Sequence, residues 1–566
     1  MRHLVKLTLL FMLGGQLAAQ PYFTDVSTQS GVEIFGLYRG VAVGDYNNDG
    51  WEDLLFTGFS GATRLLRNEG DMTFSDQTEL LGLLGIENFS AGIWADLDND
   101  GDADLILGGS LEPSKVYRND GGNFVDLTQS CGVGVEGRVL SLNVADVDND
   151  GWLDVYFAEL NGRNAFFRNQ GDWTFVDETV ARNMTDDQIS MGAIFTDYNQ
   201  DGAIDLYLTH DGDQPNIMLQ NDGQGYFTNV SLATATNVAA NGMGVDVADL
   251  DGDGWLDIYI TNLYENNLLR NLGGDFFLDR SIASGTQDLG MGWGIVALDV
   301  DLDGDQDIYV GNETNFNVGG IYYDNILYLN EGALNFSIAD PMGAWASSRG
   351  TYGVASADLD RDGDLDLILA NSSTGCELLR NDTSTDGHWL SFSLEGVESN
   401  RDAAGARVTV TCGEQSWTDE LHLGASFASQ TSKQLHFGLG SSIDLAKVTV
   451  FWPSGQVDSI ADLSLDQHYD LVEGEGLVSS VEELGSEDVF LAPNPASDWV
   501  NFSASIWQGE ASAKLRWWSI DGQLMAQDQL VSGTTRIPVP SSLNPGTYLV
   551  EIETAQKIRV QRIIVF

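Results

Sequence analysis

The chain has 566 residues and a formal net charge of −59, from 85 acidic and 26 basic side chains. That length allows several domains. So large a negative charge excludes nucleic acid as a partner and suits a soluble protein in a salty or calcium-rich medium.

The first twenty residues read as a secretory signal peptide. Arg2 and Lys6 precede an apolar run from Leu7 to Leu13, and small residues follow at Ala18 and Ala19. No cysteine follows the expected cleavage region, which argues against a lipoprotein anchor. No later stretch has the roughly 18 apolar residues of a membrane span. Cys131, Cys376 and Cys412 form no disulfide framework and match no zinc spacing, with a Cys376–Cys412 pair left open.

From residue 21 to 385 one pattern, D-x-[DN]-x-D-G-x-x-D, recurs seven times. Oxygen ligands at alternate positions followed by glycine describe a calcium loop. Positions 1, 3, 5 and 9 supply side chains and position 7 a backbone carbonyl. The glycine at position 6 permits the tight curl, having no Cβ to clash at positive φ. The expected ligands of the first loop are Asp45, Asn47, Asp49, Trp51 and Asp53, and of the second Asp96, Asp98, Asp100, Asp102 and Asp104. The third offers Asp146, Asp148, Asp150, Trp152 and Asp154, and the fourth Asp197, Asn199, Asp201, Ala203 and Asp205. The fifth offers Asp249, Asp251, Asp253, Trp255 and Asp257, the sixth Asp299, Asp301, Asp303, Asp305 and Asp307, and the seventh Asp358, Asp360, Asp362, Asp364 and Asp366. Up to seven structural Ca²⁺ ions are expected, with weaker binding where Asn47 and Asn199 replace Asp. The alternative is a set of metal-free Asx turns, but carboxylates gathered without a cation repel one another.

These are not EF-hands. Position 12 is apolar throughout (Phe56, Leu107, Phe157, Leu208, Ile260, Val310 and Leu369), where an EF-hand needs Glu. Short apolar triplets rich in β-branched and aromatic residues read as buried strands, so each loop joins strand to strand.

Two further elements track the loops. One is the RN strand, such as Leu65–Gly70 and Phe166–Gly171; the other is the F-x-D strand, such as Phe74–Asp76 and Phe124–Asp126. With the small-residue strand ahead of each loop, every unit of about 50 residues holds four strands, the signature of a β-propeller blade. The seventh unit lacks its F-x-D strand, and FTDVSTQSG at Phe23–Gly31 is placed to supply it, closing the ring. The spacing has one clear insertion, in blade 6, at Gly311–Asn325 on the face opposite the acidic loops. Asn315, Phe316, Asn317, Tyr322 and Tyr323 there are candidate ligand-binding residues. His210–Asp213 lies on the same face and reads as a plain turn.

Alternating strands then mark a small all-β module over residues 386–473, followed by a linker at 474–487 and a β-sandwich at 488–566. The seven loops with their strands resemble the FG-GAP/VCBS repeats of integrin-α-like propellers. That resemblance implies calcium in each blade and ligand binding on the face away from the metals. GARVTV (Gly405–Val410), FASQ (Phe427–Gln430), LHFGLG (Leu435–Gly440) and FWPSG (Phe451–Gly455) resemble the ASPIC/UnbV domain found after such repeats in cartilage acidic protein. The NP near Asn494, DGQL (Asp521–Leu524) and PGTYLV (Pro545–Val550) resemble a C-terminal sorting domain of type IX secretion. This implies export across the outer membrane by that machinery, then release or surface attachment. The expected fold is thus all-β: a seven-bladed β-propeller, an ASPIC/UnbV module and a C-terminal β-sandwich sorting domain.

No H-E-x-x-H, no G-x-S-x-G and no Cys/His cluster is present. The expectation is an extracellular, monomeric, calcium-binding protein of adhesion or of glycan or protein binding, not an enzyme. A calcium-dependent polysaccharide lyase and a scaffold for other surface proteins are the alternatives.

Overall fold

A computed structural model of the chain describes residues 21–478, apart from 80–81, 161–162, 314–320, 322, 341–342 and 443–444, and beyond them chiefly the strands from Leu491 onward. The segment read as a signal peptide, residues 1–20, lies outside the described residues. The chain divides into two compact units, one ending at Val478 and one starting at Ser479.

Residues Phe23–Asn381 of the first unit form seven four-stranded antiparallel blades, the first and seventh joined by a pairing of Phe35–Leu37 with Ser372–Gly375. In blade 3 the strands are Val139–Ala145, Asp154–Glu159, Ala165–Asn169 and Phe175–Asp177, taken from the axis outward. The acidic loop joins the first to the second in every blade. Apolar triplets such as Leu54–Phe56 and Leu105–Leu107 are fully buried between neighbouring sheets, each side chain contributing about 1.5–3 kcal/mol. The innermost strand carries a bulge near its start in each blade, at Arg39 in the first and Leu140 in the third, which sharpens local twist where the strands crowd the axis.

The ring closes as expected. Phe23–Asp25 pairs antiparallel with Glu377–Asn381, Phe23 lying opposite Asn381. The closing strand also copies the stitch of the other outer strands. Asp25 accepts the Ser27 N–H (3.0 Å) and Ser27 Oγ accepts the Leu378 N–H (3.0 Å). In blade 3, Asp177 accepts from Thr179 (3.1 Å) and Thr179 accepts from Phe166 (2.9 Å). The F-x-D-x-[TS] element is therefore a side-chain clamp between the third and outer strands.

Residues Trp389–Val478 form a sandwich of two four-stranded sheets over a core of Phe392, Val408, Val410, Phe437, Val448 and Leu471. Its last strand, Gly476–Val478, pairs with Gln467–Val472 and lies inside the span read as linker. The three cysteines form no disulfide; burial pushes the Cys376 thiol up to about 12. The second unit holds a three-stranded sheet (Leu491–Ala492, Trp499–Phe502, Arg536–Pro538) and a four-stranded one (Ser512–Ser519, Leu524–Val531, Gly546–Glu553, Ile558–Val565).

Candidate metal collar and its cover

Each acidic loop is curled by its own first aspartate. In the second loop, Asp96 accepts the N–H groups of Asp100 (3.1 Å) and Gly101 (2.8 Å), and the third, sixth and seventh repeat this. The curl needs positive φ at position 6, as at Gly101 (94°) and Gly363 (96°), and at position 4, where Asn48, Asn99 and Asn149 adopt 54–58°. Asparagine tolerates that region better than most residues with a Cβ.

The loops bring their carboxylates together. In five of them three acids offer oxygens within 4.8 Å of one another: Asp96, Asp98 and Asp104; Asp146, Asp148 and Asp150; Asp249, Asp251 and Asp253; Asp299, Asp301 and Asp303; Asp358, Asp360 and Asp362. The first and fourth loops, with Asn47 and Asn199, do not form such a group among the described residues.

Burial, more than the neighbouring charges, pushes the position-9 acids up. Asp53 rises to about 8 and Asp104 to about 9, while Asp154, Asp205, Asp257, Asp307 and Asp366 lie well above the usual carboxylate range. Asp205 and Asp257 are fully buried, and each keeps one carboxylate oxygen with no hydrogen-bond donor. A buried acceptor without a donor costs about 1–3 kcal/mol. Hard oxygen donors in this arrangement fit Ca²⁺.

The RN element proves to be a latch between blades. In blade 3 the Asn169 N–H donates to Asp154, position 9 of its own loop (2.8 Å), and Asn169 Nδ2 donates to the Leu97 carbonyl, position 2 of the preceding loop (2.9 Å). Asn68, Asn119, Asn221, Asn271, Asn330 and Asn381 do the same, Asn68 reaching Leu359 across the closure. The seven loops thus form one hydrogen-bonded collar. The preceding arginine has another task. Arg168 lies 2.7 Å from Asp148 and 2.5 Å from Asp150, a counter-charge over positions 3 and 5.

The sandwich module lies on this collar, which the sequence reading had not anticipated. Arg401 and Asp402 meet Asp96, Glu420 accepts the Asp197 N–H (3.1 Å), and Ser432 donates to Glu52 (2.7 Å). One stretch, residues 420–432, enters the ring axis. Gln430 pairs with Val41 and Val43 of blade 1, and its side chain bonds both the Trp94 N–H (2.8 Å) and carbonyl (2.9 Å) of blade 2. Leu423 meets Val144, His422 Nδ1 meets the Phe195 carbonyl (2.9 Å), and Ser426 pairs with Val245 and accepts from Ile295 (2.9 Å). Thr431 accepts from Ser356 (3.0 Å), completing contact with all seven innermost strands. Those strands present unpaired backbone groups to the axis, and the plug satisfies them. Phe427, fully buried, ends the plug against Trp293, with ring centroids 4.7 Å apart.

Asn315, Phe316, Asn317 and Tyr322 lie outside the described residues; Tyr323 is half-buried beside Gly290. His210 is buried, its Nε2 2.6 Å from Asp186, so it belongs to the blade framework.

Residues 45–107, 96–157, 146–208 and 197–260 match the FG-GAP-like repeat family, 396–478 match ASPIC and UnbV, and 491–566 match the Secretion system C-terminal sorting domain. Cartilage acidic protein 1 of Mus musculus and of Homo sapiens are each 27% identical over 199 residues, 33% of this chain. The match spans 31% and 30% of those relatives, under a third of their length. Among solved structures, an Agrocybe aegerita lectin described for recognition of non-reducing terminal N-acetylglucosamine aligns over 55% of this chain and 82% of its own, at 20% identity and TM-score 0.38. BBS1N in complex with ARL6DN aligns over 65% and 99%, at 9% identity and TM-score 0.41. The chain therefore carries FG-GAP-like repeats forming a β-propeller, an ASPIC and UnbV module, and a secretion-system C-terminal sorting domain.

Proposed function

We propose that this is a secreted or cell-surface, calcium-stabilised protein of adhesion or ligand capture, binding an extracellular glycan or protein without turning it over. The sorting domain supports export by the type IX machinery to the surface or the medium. Among the described residues no helix is long and apolar enough to cross a membrane. The loops supply calcium ligands from Asp side chains, from Asn47 and Asn199, and from the position-7 carbonyls; the ion would neutralise the clustered carboxylates and staple each blade.

The observation that carries the binding reading is the occupation of one face. The module covers the collar and plugs the axis, so the opposite mouth is the end of the ring left for a ligand. Six residues before each loop stands one side chain of the innermost strand: Arg39, Ser90, Leu140, Met191, Met243, Trp293 and Tyr352, all buried except the half-buried Arg39. The Arg39 guanidinium lies 3.8 Å from the Phe59 ring centroid and 4.7 Å from that of Tyr352. The half-buried Arg39, held against aromatic rings, is the one of the seven open to a ligand.

A glycan array and a pull-down from the parent cell surface, run with the full chain and with Arg39→Ala, test this. Retention of a ligand by the wild type and its loss in the variant is expected. Unsaturated sugar products in a lyase assay would overturn the non-catalytic reading.

A further inference from the structure

The peptide joining positions 6 and 7 is pinned at both ends in every loop. Its N–H donates to the position-5 aspartate at 2.9–3.1 Å. Its carbonyl, that of the glycine, accepts a donor from outside the loop. In five loops the donor is position 4 of the preceding loop. Asn48 reaches Gly101 (3.0 Å), Asn99 reaches Gly151 (2.9 Å), Asn149 reaches Gly202 (3.5 Å) and Gln200 reaches Gly254 (2.6 Å). Arg361 reaches Gly50 across the closure.

The series breaks twice. Position 4 is Gly252 in the fifth loop and Leu302 in the sixth, and neither side chain can donate. At these two breaks the module supplies the donor. Trp417 Nε1 donates to the Gly304 carbonyl (2.8 Å), and His436 Nε2 lies 2.8 Å from the Gly363 carbonyl. A carbonyl only accepts, so Nε2 carries the His436 proton. The indole of Trp389 stacks on the His436 ring (5.9 Å between centroids, 18° between planes) and fixes its orientation. Leu302 is buried, and its carbonyl accepts the Gly440 N–H of the module (3.1 Å).

We infer that the module completes the sixth and seventh loops as cation sites, with Trp417 and His436 as positioning residues. Seating of the module and occupancy of these two loops are then one coupled equilibrium. This rests on the calcium reading. The carbonyl of position 7, the expected backbone ligand, is the next one along from the pinned peptide. Fixing that plane fixes the direction of its neighbour; releasing it lets the loop turn away from the ion. Coupling between the two events is reciprocal, so calcium holds the module as much as the module prepares the sites.

The test uses the full chain. CaCl2 is titrated calorimetrically, and hydrogen exchange is followed in Gln415–Glu420 and Leu435–Gly438 with and without calcium. Trp417→Phe with His436→Phe keeps both rings and removes both donors. Each loss of one hydrogen bond is expected to weaken one site about fivefold, leaving the other sites unchanged and speeding exchange in the module. His436→Gln restores a donor and recovers the seventh-loop affinity. Asn48→Ala removes the equivalent bond inside the propeller; it weakens the second loop and leaves exchange in the module unchanged. If the wild type binds calcium but module exchange is the same with and without it, or if the double variant keeps every affinity, the inference fails and the calcium reading stands. A wild type that takes up no calcium overturns both.

Discussion

The two faces of the ring obey different rules. On the collar face every blade repeats the same bonds: a curled loop, a position-9 aspartate backed by an asparagine N–H, and an asparagine amide holding the loop before it. On the opposite face, in equivalent positions, stand an arginine, a serine, a leucine, two methionines, a tryptophan and a tyrosine. Repetition serves the ring as a whole, since each blade must present the same edge to the next. Variation breaks the symmetry and is what a single ligand needs.

Removal of metal should strike the collar face hardest. At a hundredfold excess over its Kd, one bound ion stabilises by about 2.7 kcal/mol. Several sites together should therefore shift the melting temperature by on the order of 10 °C, read by scanning calorimetry in calcium against EDTA. An unchanged melt in a protein that carries no calcium would remove the collar's role. Acidity sharpens the same contrast. Burial raises the position-9 carboxyls above their unfolded values, as at Asp53 (about 8) and Asp104 (about 9). The metal-free fold thus holds its protons more tightly than the unfolded chain. Its stability is full below the ordinary carboxylate range and lost as pH rises towards about 9. Calcium, which needs ionised ligands, should stabilise more as pH rises; melts across this range in EDTA and in calcium should diverge.

Smaller effects come from single side chains. Phe427→Ala empties the end of the plug and is expected to cost about 3–5 kcal/mol in chemical denaturation. Asn169→Ala keeps the backbone bond to Asp154 but takes the amide away from the Leu97 and Leu153 carbonyls, for about 1–3 kcal/mol. Arg39→Ala, on the variable face, should change stability by less than about 1 kcal/mol while abolishing ligand retention. If Arg39→Ala destabilises as much as Asn169→Ala, the division of labour between the faces does not hold.

The blade count, the four strands per blade and the closure by Phe23–Asp25 were legible because they recur at fixed spacing and need only local pattern. The purpose of the recurring asparagine was not. Its carbonyl partner belongs to another blade, 73 residues away in the case of Asn119 and Tyr46, and a repeat reveals that a residue recurs but not what it touches. The seating of the module was still less accessible, since Gln430 meets Trp94 across 336 residues. Its only trace in the sequence is negative: the missing donors at Gly252 and Leu302.

The closing strand also has a consequence for folding order. Each blade is made from hairpins whose ends lie close in sequence, whereas the Thr24–Asp382 contact spans 358 residues. Loop-closure entropy grows by about 0.6 kcal/mol for each doubling of length, so the blades are poised to form first and the clasp last. Contacts made after the folding barrier chiefly slow unfolding. The pairing of Phe23–Asp25 is therefore expected to set the rate of unfolding more than the rate of folding, and with it the lifetime of the closed ring.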